Sequence, residues 1–332
     1  MKPTFSALLI LNFICSSIAF GQSSQVNITT DGQYRYISSN GIPKTGHGEF
    51  PNAGNPNSIS EQQYNFRVPL DGQLSGTTTD LGHGLFGVAL DGVPFDPGTA
   101  EYWNHDPDSG WWYEAMSGKI NLGLDMNNAH VQPSGAYHYH GVPKGLVNAM
   151  GQPDHPTLTG YAADGFPIYS MYGYSNPKAV SPVKELESSW RLKQGLRPSG
   201  PGGNYDGTFV QDWEYAAGSG DLDECNGRTG VTPEYPQGTY YYVLTDSFPF
   251  VPRCFKGTPD PSFSKRRPEG GGPGARKMGP GGHRQPPPEA IEACSGHSQN
   301  DNCSFQAPDR TVSGSCRDIQ GTMACVPARP PV

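Results

Sequence analysis

Charge is scarce in this chain of 332 residues, at 16 % Asp, Glu, Lys and Arg, and helical periodicity is scarcer. Without rows of i,i+4 charge pairs or a sustained 3.6-residue apolar period, a coiled coil or helical bundle is excluded. One stretch has some helical character, Ser181 to Leu192, where Pro182 suits a first-turn position and Lys and Glu follow. Enzyme signatures are missing too. There is no Gly-x-Ser-x-Gly elbow, no His-Glu-x-x-His, no P-loop and no Rossmann fingerprint opening a helix. Their absence removes the signatures of the common serine hydrolases, zinc peptidases, nucleotidases and dinucleotide enzymes. No Cys-x-x-Cys occurs, which argues against a zinc ribbon. Beyond the N-terminus no apolar run is long enough to cross a bilayer. The net charge is −8, and only Lys256 to Arg284 is basic, with seven Lys/Arg against two acidic residues. A nucleic-acid partner therefore has no support. The basic stretch reads as a solvated segment or, alternatively, as a contact with an anionic surface or polymer.

Turn formers are abundant, with 44 Gly and 33 Pro. Between them lie short apolar and aromatic runs: Gly84 to Leu90, Pro167 to Tyr172, and Thr239 to Thr245. Such runs bounded by turns read as strands. The expected fold is all-β, a sandwich or barrel-like domain with long Gly/Pro-rich loops, then a disordered linker and a small disulfide-rich module. Residues 1–21 read as a secretion signal, with Lys2 ahead of the apolar Ala7 to Ile14 and small residues beyond. Residues 22–60 are a polar, loosely packed lead-in. Residues 61–256 hold the main domain, 257–289 the Gly/Pro-rich basic linker, and 290–328 the Cys-rich module. The expected location is secreted or extracytoplasmic.

Six cysteines remain once Cys15 leaves with the signal: Cys225, Cys254, Cys294, Cys303, Cys316 and Cys325. An even count in a secreted chain reads as disulfides. Spacing pairs Cys225 with Cys254, closing a loop of about 30 residues for a contribution of about 3 kcal/mol. The last four allow three pairings, and the sequence leaves all three open.

Ala136-Tyr137-His138-Tyr139-His140 carries the most chemistry. Alternating Tyr and His reads as a strand with His138 and His140 on one face, roughly 7 Å apart along it. Neutral imidazoles sharing a face can share a metal ion. His130 lies upstream, beyond the turn-like Gln132-Pro133-Ser134-Gly135. A four-residue hairpin loop sets His130 against Tyr137, on the wrong side. A five-residue loop over 132–136 sets it against His138 and completes a three-histidine face. One residue of register decides, and both remain open. The other reading is a structural His/Tyr ladder.

The blocks Gly135-Ala-Tyr-His-Tyr-His-Gly141, Gly160 to Tyr169, Asp221 to Gly227 and Gly238 to Thr245 resemble the YHYH-domain family of secreted proteins, over roughly residues 80–256. The resemblance implies a β-rich extracytoplasmic domain in which His138 and His140 matter. It implies no reaction, substrate or metal.

His83, flanked by Gly82 and Gly84, and Asp164, in a turn before a strand, are candidates for a further ligand; Asp164 also suits a partner that fixes a ring tautomer. Histidine with carboxylate suits copper or zinc rather than calcium. Asp106 to Gly110 and Asp221 to Cys225 are weaker, acidic calcium-like segments. Trp103, Trp111 and Trp112 with Tyr102 and Tyr113 form an aromatic cluster, either packed or a sugar-stacking platform. The first expectation is a secreted metal-binding protein built on His138, His140 and His130. The alternative is a non-enzymatic adhesion or glycan-binding module with structural histidines.

Overall fold

A computed structural model describes residues 23–82, 84–151, 154–265, 288–307, 310–319 and 322–327. The signal segment 1–21, most of the linker and His83 lie outside the described residues. The chain divides into two compact units, Met1–Arg267 and Pro268–Val332.

The larger unit is all-β, with almost no helix among its described residues. Its spine is an eight-stranded sheet in the order Gly227–Gly230, Thr239–Val243, Pro167–Tyr169, Leu158–Ala162, Gly87–Ala89, Pro94–Phe95, Tyr137–Tyr139, Ala129–Val131. Two neighbouring pairs run parallel, Pro167–Tyr169 with Thr239–Val243 and Pro94–Phe95 with Tyr137–Tyr139; the rest are antiparallel. The central strands are mostly buried and rich in Tyr, Val and Ile, which suits short strands covered on both faces. The histidine hairpin closes one end of the sheet, so its outer strand has a single neighbour.

Residues 22–60 are not a loose lead-in. Val26–Thr30 and Tyr34–Ser39 pair with Tyr64–Pro69 in a three-stranded sheet. Ile37 alternates with polar neighbours and enters the main core beside Phe66 and Val68. That period-2 pattern was present beneath a polar composition. The linker also begins later than residue 257. Phe263 is buried and stacks on Phe66 at 4.6 Å between ring centroids, and Asp260 pairs with Arg67 at 2.8 Å. The stretch Ser181 to Leu192 is not helical. Val183–Glu185 and Trp190–Leu192 are strands of two different hairpins, because their partners Tyr172–Tyr174 and Trp213–Tyr215 satisfy the backbone from outside. The short helix Lys144–Ala149 had no sequence signal of comparable strength.

Cys225 and Cys254 are bonded, as their spacing implies. Asp223 Oδ1 accepts from the Cys225 and Gly227 amides and so shapes the turn that presents Cys225. In the smaller unit, Asn302–Ala307, Arg310–Ile319 and Thr322–Pro327 form an antiparallel sheet. The pairing there is Cys294–Cys316 and Cys303–Cys325. Its buried cluster is little more than these four half-cystines with Ala290 and Ala324, so the cross-links replace the apolar core the module lacks.

Phe263→Ala is expected to destabilise the large unit by about 3–5 kcal/mol, the cost of emptying a buried aromatic site. Urea unfolding monitored by tryptophan fluorescence checks this; an unchanged midpoint would return residues 257–265 to the linker.

Candidate metal centre

Tyr137–Tyr139 pairs with Ala129–Val131 in the register of the five-residue loop: Ala129 opposite Tyr139, His130 opposite His138, Val131 opposite Tyr137. The ladder continues to His140, whose amide donates to the Asn128 carbonyl at 2.8 Å. Gly135 closes the turn with φ +82°, a left-handed conformation. A Cβ there would stand 1.9 Å from Ser60 Oγ, so both conformation and space require glycine.

The two faces of this hairpin have different tasks. Ala129, Val131, Tyr137 and Tyr139 point into the main core and are essentially inaccessible. The two phenols are buried with partners. Tyr137 Oη donates to Asp125 Oδ2 at 2.7 Å, and Tyr139 Oη donates to Asp91 Oδ2 at 2.8 Å. Burial, helped by the neighbouring carboxylates, pushes both phenols far above their usual range, so they stay protonated donors.

The other face gathers His130, His138 and His140. One nitrogen from each lies within 4.8 Å of the other two. Each pair of rings is 4.7 Å apart between centroids. His138 and His140 are buried and His130 is half-buried. Nδ1 of His130 stands 2.9 Å from the Leu122 carbonyl oxygen, and Nδ1 of His138 stands 3.2 Å from that of Ala136. A carbonyl only accepts, so both protons sit on Nδ1 and each Nε2 carries an unprotonated lone pair. Nε2 of His140 lies 3.1 Å from Nε2 of His130. Two ligands at about 2.0–2.1 Å from a tetrahedral ion are separated by about 3.3 Å, so the spacing fits a shared ion. Nδ1 of His140 is buried without a partner.

Burial lowers the pKa of all three imidazoles. His138 is held at about 4 by burial, against an opposing pull from the Asp96 carboxylate. His140 is driven well below its ordinary value by burial and then by its two histidine neighbours. His130 is lowered less, since the Leu122 carbonyl and Asp96 favour its charged form. Neutral rings are the form that donates to a metal.

A family model described as YHYH protein matches residues 65–257. The chain belongs to the YHYH family. No curated protein and no solved structure matches it. In this member of the family the name-giving motif is a two-faced strand, with tyrosines in the core and histidines in a cluster.

Asp164 is not in that cluster. Its Oδ2 accepts from Tyr242 Oη at 2.6 Å and the Gly257 amide at 2.9 Å, and its Oδ1 from the Phe166 amide. It ties the turn before Pro167–Tyr169 to the strand Thr239–Val243 and to Gly257. Asp96 was missed. It follows the strand Pro94–Phe95, which runs parallel to Tyr137–Tyr139, and it is 1 % exposed. Only that non-local pairing brings it near His138. The aromatic cluster divides. Trp111 is buried edge-on to Phe209, whereas Trp112 is 39 % exposed. The acidic segments are occupied: Asp106 Oδ1 accepts from the Asp108 amide, Asp221 pairs with Lys184, and Asp223 and Glu224 pair with Lys256.

For the metal-stripped chain the pH dependence has a definite sign. His138 has its pKa depressed to about 4 in the fold, against 6.5 when unfolded. As pH falls below 6.5 the unfolded chain takes up the proton first, so stability is full above about 6.5 and declines toward about 4. Denaturant midpoints across this window are expected to fall, and His138→Gln is expected to flatten the decline.

Proposed function

We propose that this is a secreted metal-binding protein whose centre is His130, His138 and His140. The carrying observation is the convergence of three neutral imidazoles, two buried and one half-buried, with nitrogens within 4.8 Å of one another. Two of the rings have their tautomer set by backbone carbonyls, as metal-ligating histidines commonly do. An all-nitrogen donor set suits zinc or copper, and calcium wants oxygen. Three protein ligands leave a coordination position for water or a small molecule, as in catalytic rather than structural zinc sites. Secretion is supported by the N-terminal signal pattern and by three disulfides, which persist in oxidising compartments. Among the described residues no helix is long and apolar enough to cross a membrane.

One observation favours the glycan reading as a second function. Tyr102, Trp103, Asn104, Tyr113 and Asn121 help line an open depression of about 490 Å³. Aromatic faces beside amide groups suit a sugar. Trp111, being buried, cannot serve there.

Elemental analysis of the mature, untagged chain after dialysis against trace metals is expected to find near-stoichiometric zinc or copper. His138→Ala with His140→Ala is expected to abolish it, and His130→Ala to weaken binding beyond the about 10–100-fold typical of removing a ligand's hydrogen-bond partner. A wild-type chain without metal, whose melting no added ion changes, would reduce the cluster to a scaffold.

A further inference from the structure

Asp96 is the buried carboxylate beside the histidines, and its bonding is unfinished. Oδ2 accepts from Gln132 Nε2 at 3.0 Å and pairs with Lys265 Nζ at 2.6 Å. Oδ1 is buried with no hydrogen-bond partner. A buried anion normally has its lone pairs satisfied, because leaving one unmet costs of the order of 1–3 kcal/mol. Gln132 borders the hairpin turn that sets the histidine register, so Asp96 is tied to the cluster through the same segment. Its field reaches both His130 and His138. Asp96 is outside the group of nitrogens within 4.8 Å, and so is a charge partner rather than one of the converging donors.

The cations nearby differ in how firmly they are held. Arg253 and Lys265 both bear on His140. Arg253 is bound to Glu114 at 2.5 Å, and that carboxylate is 1 % exposed. Lys265 has no second carboxylate among the described ion pairs, and its side chain remains 38 % exposed. Three neutral imidazoles supply no charge against a divalent ion. A cation placed among them would attract Asp96 and repel the ammonium that shares it.

We propose that Lys265 is a stand-in cation, holding Asp96 in the metal-free chain and giving way when a divalent ion enters the histidine cluster. Asp96 is then the counter-charge of the centre, and Lys265 a built-in competitor that sets its affinity. This rests on the metal-binding reading above and adds two residues to it, neither of them a histidine.

The full mature chain is titrated with zinc against a chromogenic chelator, and with copper in parallel, for wild type, Lys265→Met, Lys265→Arg and Asp96→Asn. Lys265→Met is expected to bind the ion about tenfold tighter, and Asp96→Asn about tenfold or more weaker, in line with effects of outer-shell partners. Lys265→Arg keeps the pair and is expected to match wild type. The metal-free Lys265→Met chain is expected to melt lower than wild type, with a larger rise on adding zinc. Lys265→Met is exposed enough to fold even where Asp96→Asn does not, so it decides. Equal or weaker binding by Lys265→Met, with wild type binding normally, would overturn the exchange and leave the histidine centre standing. No binding by wild type would overturn the centre itself.

Discussion

The structure depends on one strand having two incompatible faces. Tyr137 and Tyr139 are completely buried, and each phenol meets a carboxylate from elsewhere in the chain, Asp125 and Asp91. Those bonds settle which way the strand faces. A shift of one residue would place imidazoles in the apolar core and phenols at the cluster, and would take from Asp91 and Asp125 their phenol donors. The histidine arrangement is thus held by the opposite face. Gly135 supports the same choice, since the turn that gives the five-residue register needs its left-handed backbone and missing Cβ.

The histidine side is organised by electrostatics in a dry place. Burial holds the three rings neutral, so the cluster folds without the repulsion three imidazolium ions would bring. The same burial makes unpaired polar atoms expensive, and two of them occur here, His140 Nδ1 and Asp96 Oδ1. His130 Nε2 can only accept from its neighbour when its proton is on Nδ1, so in the metal-free chain the proton between the two close nitrogens belongs to His140 Nε2. His140 must therefore change tautomer to offer that nitrogen to an ion. Its other nitrogen has no acceptor for the displaced proton among the described residues. Of the three histidines it is the one whose ligation is least prepared.

Much of this was legible in the sequence because it is local. Tyr/His alternation specifies a two-faced strand within five residues, and the spacing of Cys225 and Cys254 specifies their bond. The register was not legible, because both loop lengths satisfy local turn chemistry and the choice is made by Ser60, Asp91 and Asp125. Asp164 looked like a ligand since a carboxylate in a turn has no visible partner in sequence; Tyr242 and Gly257 are 78 and 93 residues away. Asp96 was overlooked for the converse reason. Nothing in Phe95-Asp96-Pro97 marks a site, and its importance comes from a parallel strand pairing that composition does not show. Ile37 and Phe263 were hidden in polar and Pro-rich surroundings, where one apolar residue per turn or strand suffices to anchor a segment.

On the metal-binding reading proposed above, the donors and the charge partners of the centre have different origins in the chain. Its donors come from a single hairpin, whose geometry the core enforces, so altering a histidine or a tyrosine risks the fold together with the site. Its charge partners come from Asp96 on the adjacent strand and from Lys265 at the edge of the described domain, and Lys265 is partly in water. Substitution at Lys265 changes the field at the histidines at little cost to packing. On the same reading, affinity is adjustable at the outer ion pair, whereas the hairpin with its two-faced strand is fixed by the core.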